Sequence, residues 1–569
     1  MGKNKKNRLF TASSFLSSLH HFHPPPPSSS STSLSLATTL PTMSLVSVAY
    51  GLSIATVVLF GLGALVLAHR RQSIQTDTTE FFLTARHSVP EKTIAWSFYA
   101  SGVGAWVIFA MPAYVVSAGI VGLVAYSVSC GLPIFIVARV GAVLHRKYPG
   151  VLSLGDFVKW RFGVIPMIIV TLVMMLNMFL ALCAEYTAIG NLFEQVIGGP
   201  RLPIIVIVAV VTSVYTAVGG LYISILTDVA QGVFGILLLV IMAVYVAVTF
   251  RPESLPTPLP EVLGPNYWGW AACGAMPISL TCATIFSEGP WQRIWASADE
   301  KALKRGSLWG ALGLVVVCFL FGFGGFLAMW AGYPITDPYG TTGFFDLLKA
   351  GNETAPAWIV IIAALAVVTM NEGAVDTLQN AIVDTLASRF FRGKSVWFPR
   401  VLVFLINVPI VFVSLQGYNI IKLFLIGNLI CTICAVPLLL GLVTRFEGFV
   451  TGRSMVTGII TGFFSIFVFG YLKKDTLSAG LEYVFLESYD WPSFVLPLVF
   501  SFIGALLAAY IESLIRKACG FEYPVPMNFP PEAAGTEHGE AAPDSQTSSV
   551  RDLEFAPGKP LVNASGSSI

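Results

Sequence analysis

Charge is what this sequence has least of: 11% of its 569 residues are Asp, Glu, Lys or Arg, against 55% hydrophobic. A soluble domain carries roughly 25% charged residues, so a chain this poor in charge reads as an all-α polytopic membrane protein. The charges nearly cancel, leaving a formal net charge of +2, which gives nucleic acid no basic surface to bind. Disulfide frameworks are missing too. Seven of the eight cysteines fall in apolar runs, with only Cys519 outside, and they read as small buried hydrophobes. Cys431 and Cys434 form a C-x-x-C inside a span, but no His or further Cys stands near to complete a metal site. No cluster of His and Cys lies at membrane depth, which argues against a membrane-embedded enzyme, and no cofactor is expected. Residues 1–42 lack the apolar content to pack: a basic start, four consecutive prolines and a Ser/Thr/Leu tract predict a disordered extracellular segment. Met43, directly before the first apolar run, is an alternative start.

What is there is a series of apolar runs. Taken as spans of roughly 20 residues they predict about thirteen transmembrane helices, so the lipid bilayer is the chain's solvent. Lys and Arg cluster at His69-Arg70-Arg71, Arg146-Lys147 with Lys159 and Arg161, Arg293 through Arg305, Arg389 to Arg400, Arg445 and Arg453, and Arg516-Lys517. These fall on alternate connections, which places them in the cytoplasm, the N-terminus outside and the C-terminal tail inside. One loop on the opposite side carries Asn352-Glu353-Thr354, a glycosylation sequon at Asn352.

Ala95 to Tyr114 is built to cross a membrane yet is interrupted by Ser101, Gly102, Gly104 and Pro112. Glycine and proline weaken the helical ladder there, and a discontinuous helix at membrane depth must line a cavity or be buried in protein. A simpler reading makes the glycines a packing face. Ala271 to Pro290 repeats the theme five spans later, the spacing that inverted five-helix repeats produce. Between them, Thr227 and Asp228 follow the Gly219-Gly220 turn; a carboxylate there is either functional or paired near the interface. In Ala363 to Asp384, Thr369, Glu372, Asp376 and Asn380 form a polar stripe on one helix face. Glu372 and Asp376 either pair with buried bases, Arg139 and Lys422 being the clearest, or join Glu185 and Asp228 in an acidic excess suited to a cation pathway.

Four motifs in order then resemble the solute:sodium symporter family over most of residues 78–440. They are Glu80 to Arg86 with Pro90; Leu152 to Phe157 with Lys159 and Arg161 to Gly163; Tyr215, Gly219-Gly220, Thr227-Asp228 and Gln231; and Gly289 to Arg293 with Ala296, Lys301, Arg305 and Gly306. The resemblance implies a five-plus-five inverted repeat containing two broken helices, working by alternating access. It implies a sodium site from the carbonyls of Ala100, Val103 and Leu365 and the hydroxyl of Thr369; the second hydroxyl position falls on Val368. Proline symporters are matched from Ala100-Ser101 through Trp106 to Pro112, but a carboxylate of theirs becomes Gly102 and two lining aromatics become Cys282 and Phe286. Ser101, Trp106, Cys282 and Phe286 are thus the expected solute cavity. Sodium takes about five or six oxygens, so Glu372 or Asp376 either donates one or carries a proton instead, with Asp228 the third coupling residue.

The expected division is 43–92 for the first helix and a cytoplasmic loop, 93–443 for the inverted-repeat core, 444–518 for additional helices and 519–569 for a disordered cytoplasmic tail. The expected function is plasma-membrane symport of a small polar solute, urea or amino-acid-like, driven by sodium or protons. A nutrient sensor on the same scaffold is the alternative, but its cue, a long structured tail, is missing from the polar stretch Pro524 to Ile569.

Overall fold

The structure, a computed structural model, describes residues 39–72, 79–148, 150–151, 153–251, 255–333, 340–390, 397–485 and 491–520. Of the expected disordered ends, 1–42 and 519–569, residues 1–38 and 521–569 lie outside the described residues, as do Arg392 and Lys394, while 39–42 and Cys519 belong to helices. Among the described residues the chain is helical throughout, with one isolated bridge, Val89 to Ser297.

The core is turned inside out relative to a soluble protein. Large apolar side chains such as Leu59, Ile165, Phe412 and Leu472 are 66–69% exposed, while Asp228, Arg293, Glu372 and Asp376 are wholly buried. Water would tolerate neither arrangement; a hydrocarbon solvent around a polar centre explains both.

In chain order, α1 is Thr39–Gln72, α2 Thr79–Thr84, α3 Glu91–Gly102, α4 Trp106–Lys147, α5 Leu154–Phe162, α6 Val164–Asn191, α7 Leu202–Thr249, α8 Tyr267–Ile285 and α9 Glu288–Ala296. Then come α10 (Glu300–Trp330), α11 (Gly343–Leu348), α12 (Ala357–Phe390), α13 (Trp397–Ser414), α14 (Ile420–Leu440), α15 (Gly452–Lys474), α16 (Leu477–Phe485) and α17 (Trp491–Cys519). Both expected breaks are present. The first separates α3 from α4 at residues 103–105, and the second separates α8 from α9 with a bend of 65°.

By length and apolarity ten described helices can cross a membrane, or eleven if the bent pair counts as one span, against about thirteen read from apolar runs. The difference lies in α4 and α7, of 42 and 48 residues. At 1.5 Å per residue each is ~60–70 Å long, about twice the hydrocarbon thickness. Each is interrupted by one glycine in nearly the same conformation, Gly119 at φ 60°, ψ −160° and Gly220 at φ 60°, ψ −162°. Side chains disfavour that region, so these are the places where one helix becomes two without a loop.

Helix α10 holds the first broken helix together. Gly306, Gly310 and Gly313 let its backbone approach α3 at Ile94, Phe98 and Tyr99, and Gly322 and Gly325 do the same for α4 at Met111 and Pro112. Small residues at such spacing are how helices pack closely where no hydrophobic effect drives them together.

Candidate functional site

At the first break the helical ladder stops after Gly102 and restarts at Trp106. The restart leaves backbone N–H groups without intrahelical partners. Glu185, from the last two turns of α6, answers one of them: its Oε2 accepts the Ala105 N–H at 2.9 Å. Asn371 of α12 donates to the same oxygen at 2.9 Å. In the sequence Glu185 is one of several acids at depth, and nothing local to it points to the break.

Asp228, on α7, is an ion-pair partner as well as a motif residue. Its Oδ2 lies 2.9 Å from Arg293 Nη2, and both side chains are fully buried. Ser97 of α3 donates to the same carboxylate and accepts from Arg293 Nε at 2.9 Å. The guanidinium also reaches Thr377 Oγ1 at 2.7 Å and the Gly289 carbonyl at 3.1 Å. Arg293 thus ties α3, α7, α9 and α12 together. This corrects two expectations. The sequence groups Arg293 with the cytoplasmic loop charges, whereas its side chain is buried and pairs with Asp228, and the basic partner found in the acidic cluster is Arg293 and not Arg139 or Lys422. The signal lay in the motif Gly289 to Arg293, which follows directly on the second break.

Asp376, on α12, accepts from Tyr215 at 3.1 Å, and Thr227 and Thr377 face it at 3.5 and 3.4 Å. Glu372, one turn earlier, is different: among the described residues the polar group beside its carboxylate is the Gln231 side chain, no ion-pair partner reaches it, and Asp228 Oδ1 is left without a hydrogen bond. The Gln231 and Asp228 oxygens lie close together. A Cβ placed on Gly373 would lie 3.1 Å from Gln231 Oε1, 3.6 Å from the Ala100 carbonyl and 3.9 Å from Asp228 Oδ1. Oxygens from the end of α3 and from α7 therefore converge where α12 has no side chain. Unpartnered buried oxygens are costly, and such a set suits a cation or a proton.

The residues expected at the sodium site are placed as follows. Ala100 is buried at the end of α3, and Val103 is the extended residue after it. Thr369 is buried and donates to the Leu365 carbonyl at 2.8 Å, so those two oxygens are adjacent.

On the solute side, Trp106 is half-buried, with Phe424 at 5.4 Å and Tyr126 at 6.3 Å between ring centroids. Phe424, Asn428 and Thr432 share one face of α14: Asn428 donates to Ser279 at 2.9 Å and Thr432 adjoins Cys282. Trp106 and Cys282 thus face the same helix, whose role the sequence did not disclose. Phe286 is wholly buried at the second break, its carbonyl taking a 3.2 Å hydrogen bond from Asn177. The half-buried Ser101 hydroxyl turns back to the Phe98 carbonyl at 3.4 Å. A Cβ at Gly102 would meet Leu314 and Ile134, an apolar wall. Asn352 is exposed on a loop, far along the chain from these groups.

Residues 81–254 match the sequence model of the Sodium:solute symporter family, the family read from the four motifs. The spermidine transporter DUR31 of Candida albicans is 28% identical over 450 residues, spanning 78% of this chain and 85% of that protein. A Na+-coupled sialic acid symporter, solved substrate-bound and outward-open, covers 81% of this chain and 98% of its own at 16% identity and a TM-score of 0.62. Mhp1, a nucleobase-cation-symport-1 family transporter solved in a closed conformation with bromovinylhydantoin, covers 79% and 96% at 14% identity and a TM-score of 0.50. The all-α fold with broken helices is that of the two solved transporters, and its long apolar helices make the chain a multi-pass membrane protein.

Proposed function

We propose that this chain imports a small, nitrogen-rich polar solute across the plasma membrane, driven by a sodium or proton gradient, with its N-terminus outside and its C-terminus inside. The observation that carries this reading is the convergence of buried oxygens from Gln231 and Asp228 beside the Ala100 carbonyl at the broken helix, with Glu372 against Gln231. Ala100, Val103, Leu365 and Thr369 take the cation, Asp228, Glu372 and Asp376 couple it, and Trp106, Ser101, Cys282 and Phe286 border the solute. The likeness to a spermidine transporter adds amines to urea and amino-acid-like solutes as cargo. Buried acids outnumber buried bases at the centre, which favours a basic amine.

Tracer uptake of urea, amino acids and polyamines in sodium, choline and acidic buffers tests the proposal. Concentrative uptake of at least one solute, dependent on sodium or on acid outside, is expected. Surface-expressed protein that moves none of them in any buffer would contradict symport and favour a sensor.

A further inference from the structure

In transporters built around broken helices, the positive N-terminal end of a half-helix points at the anionic group of the substrate. Free N–H groups and the helix dipole suit a carboxylate there. In this chain the place is taken. Glu185 is 2% exposed and receives the Ala105 N–H and the Asn371 amide on one oxygen, each at 2.9 Å. Asn371 also donates to the Glu185 backbone carbonyl at 3.0 Å, so the donor that orients the carboxylate is tied to the same helical turn. Gly104 completes the fit, because a Cβ there would collide with both carboxylate oxygens. The backbone of the break and the carboxylate are in direct contact. Trp106, the next residue but one, carries the aromatic surface formed with Phe424 and Tyr126.

We infer that Glu185 is a specificity-determining residue: it supplies from within the chain the carboxylate that an amino-acid substrate would otherwise bring, and restricts the site to solutes that lack one. The inference rests on the symport reading above and decides among its solutes, favouring amines and urea over amino acids. A carboxylate arriving beside Trp106 finds the Ala105 N–H engaged and Glu185 in its way. An amine meets no such obstacle, and the rings of Trp106, Phe424 and Tyr126 offer it a cation–π surface.

Two arms test this. In the first, purified full-length protein is melted in acetate, acetamide or chloride at matched ionic strength, as wild type and as Glu185→Ala. Acetate is the smallest group able to replace the lost side chain. It should raise the melting temperature of Glu185→Ala, acetamide should not, and wild type should not respond; no acetate-specific shift overturns the inference. This arm needs no transport, so it stands or falls apart from the proposed function. The second arm compares putrescine with ornithine, which differ by one carboxylate. Wild type should use ornithine less well by roughly tenfold or more, and Glu185→Ala should narrow that gap. Equal use of both by wild type overturns the inference even if the variant does not fold. Uptake of neither, with the acetate shift intact, removes the amine cargo and supports the Glu185 assignment.

Discussion

Removing the guanidinium of Arg293 would leave Asp228 without its ion-pair partner inside a fully buried cluster. Breaking a buried pair from one side costs about 3–5 kcal/mol, so Arg293→Ala should lower the melting temperature of the purified protein sharply and reduce surface expression. Arg293→Lys keeps the charge but loses the fork that reaches Ser97, Thr377 and Gly289 together; it should fold better than Arg293→Ala and transport less than wild type. An unchanged melting temperature for Arg293→Ala would show that the cluster is held by something else. Ion identity is also decided at this scale. If Thr369 is a sodium ligand, Thr369→Val should raise the sodium concentration for half-maximal uptake by about tenfold, ~1.4 kcal/mol. If the proton is the driver, that change should matter little. Glu372→Gln should then abolish dependence on the pH gradient, because an amide keeps hydrogen bonding but cannot titrate. Normal ion dependence in both variants would move the coupling site off this face of α12.

At the scale of elements, the two broken helices were legible only in outline: Gly104 stands in the first break, but the second falls at Phe286–Ser287, and Pro112, Pro277, Gly289 and Pro290 all lie inside helices. The polar stripe of α12 was legible by periodicity. The pairing of Asp228 with Arg293 was not, since nothing local distinguishes a loop arginine from one folded back into the bundle. The Glu185 cap was equally hidden, because it joins residues 80 apart in sequence. Spans were hard to count where Gly119 and Gly220 join helices without a polar loop. The structure adds the glycine seam of α10, which makes its own prediction. A Cβ at Gly310 would lie 2.6 Å from Phe98 Cβ and 2.8 Å from the Ala95 carbonyl, backbone that cannot yield cheaply. Gly310→Leu should therefore push α3 away, cost about 1–3 kcal/mol or more in stability, and cut uptake. Gly63→Leu on α1, where a Cβ meets nothing within 4 Å, is the matched control and should do neither. Equal behaviour of the two variants would show that close α3–α10 packing is dispensable.

For the whole molecule, the proposed orientation rests on the distribution of Lys and Arg, and the exposed Asn352 gives a test of it. In a eukaryotic secretory pathway, glycosidase should shift the band of the parent protein and not that of Asn352→Gln, while a reporter locating that loop in the cytoplasm would reverse the orientation. Helix α1 begins at Thr39, four residues before Met43, yet the apolar run of the sequence follows Met43. A chain beginning at Met43 should therefore retain uptake. The central claim is that one site couples a solute to a cation, and the most direct measurement is coupling run in reverse. Purified protein in liposomes is given an inward gradient of its best-transported solute with no ion gradient, and sodium-22 entry and internal pH are followed. Solute entry should drag sodium inward or acidify the interior, and the movement should stop when the solute is withheld. Solute entry with neither ion moving would contradict symport.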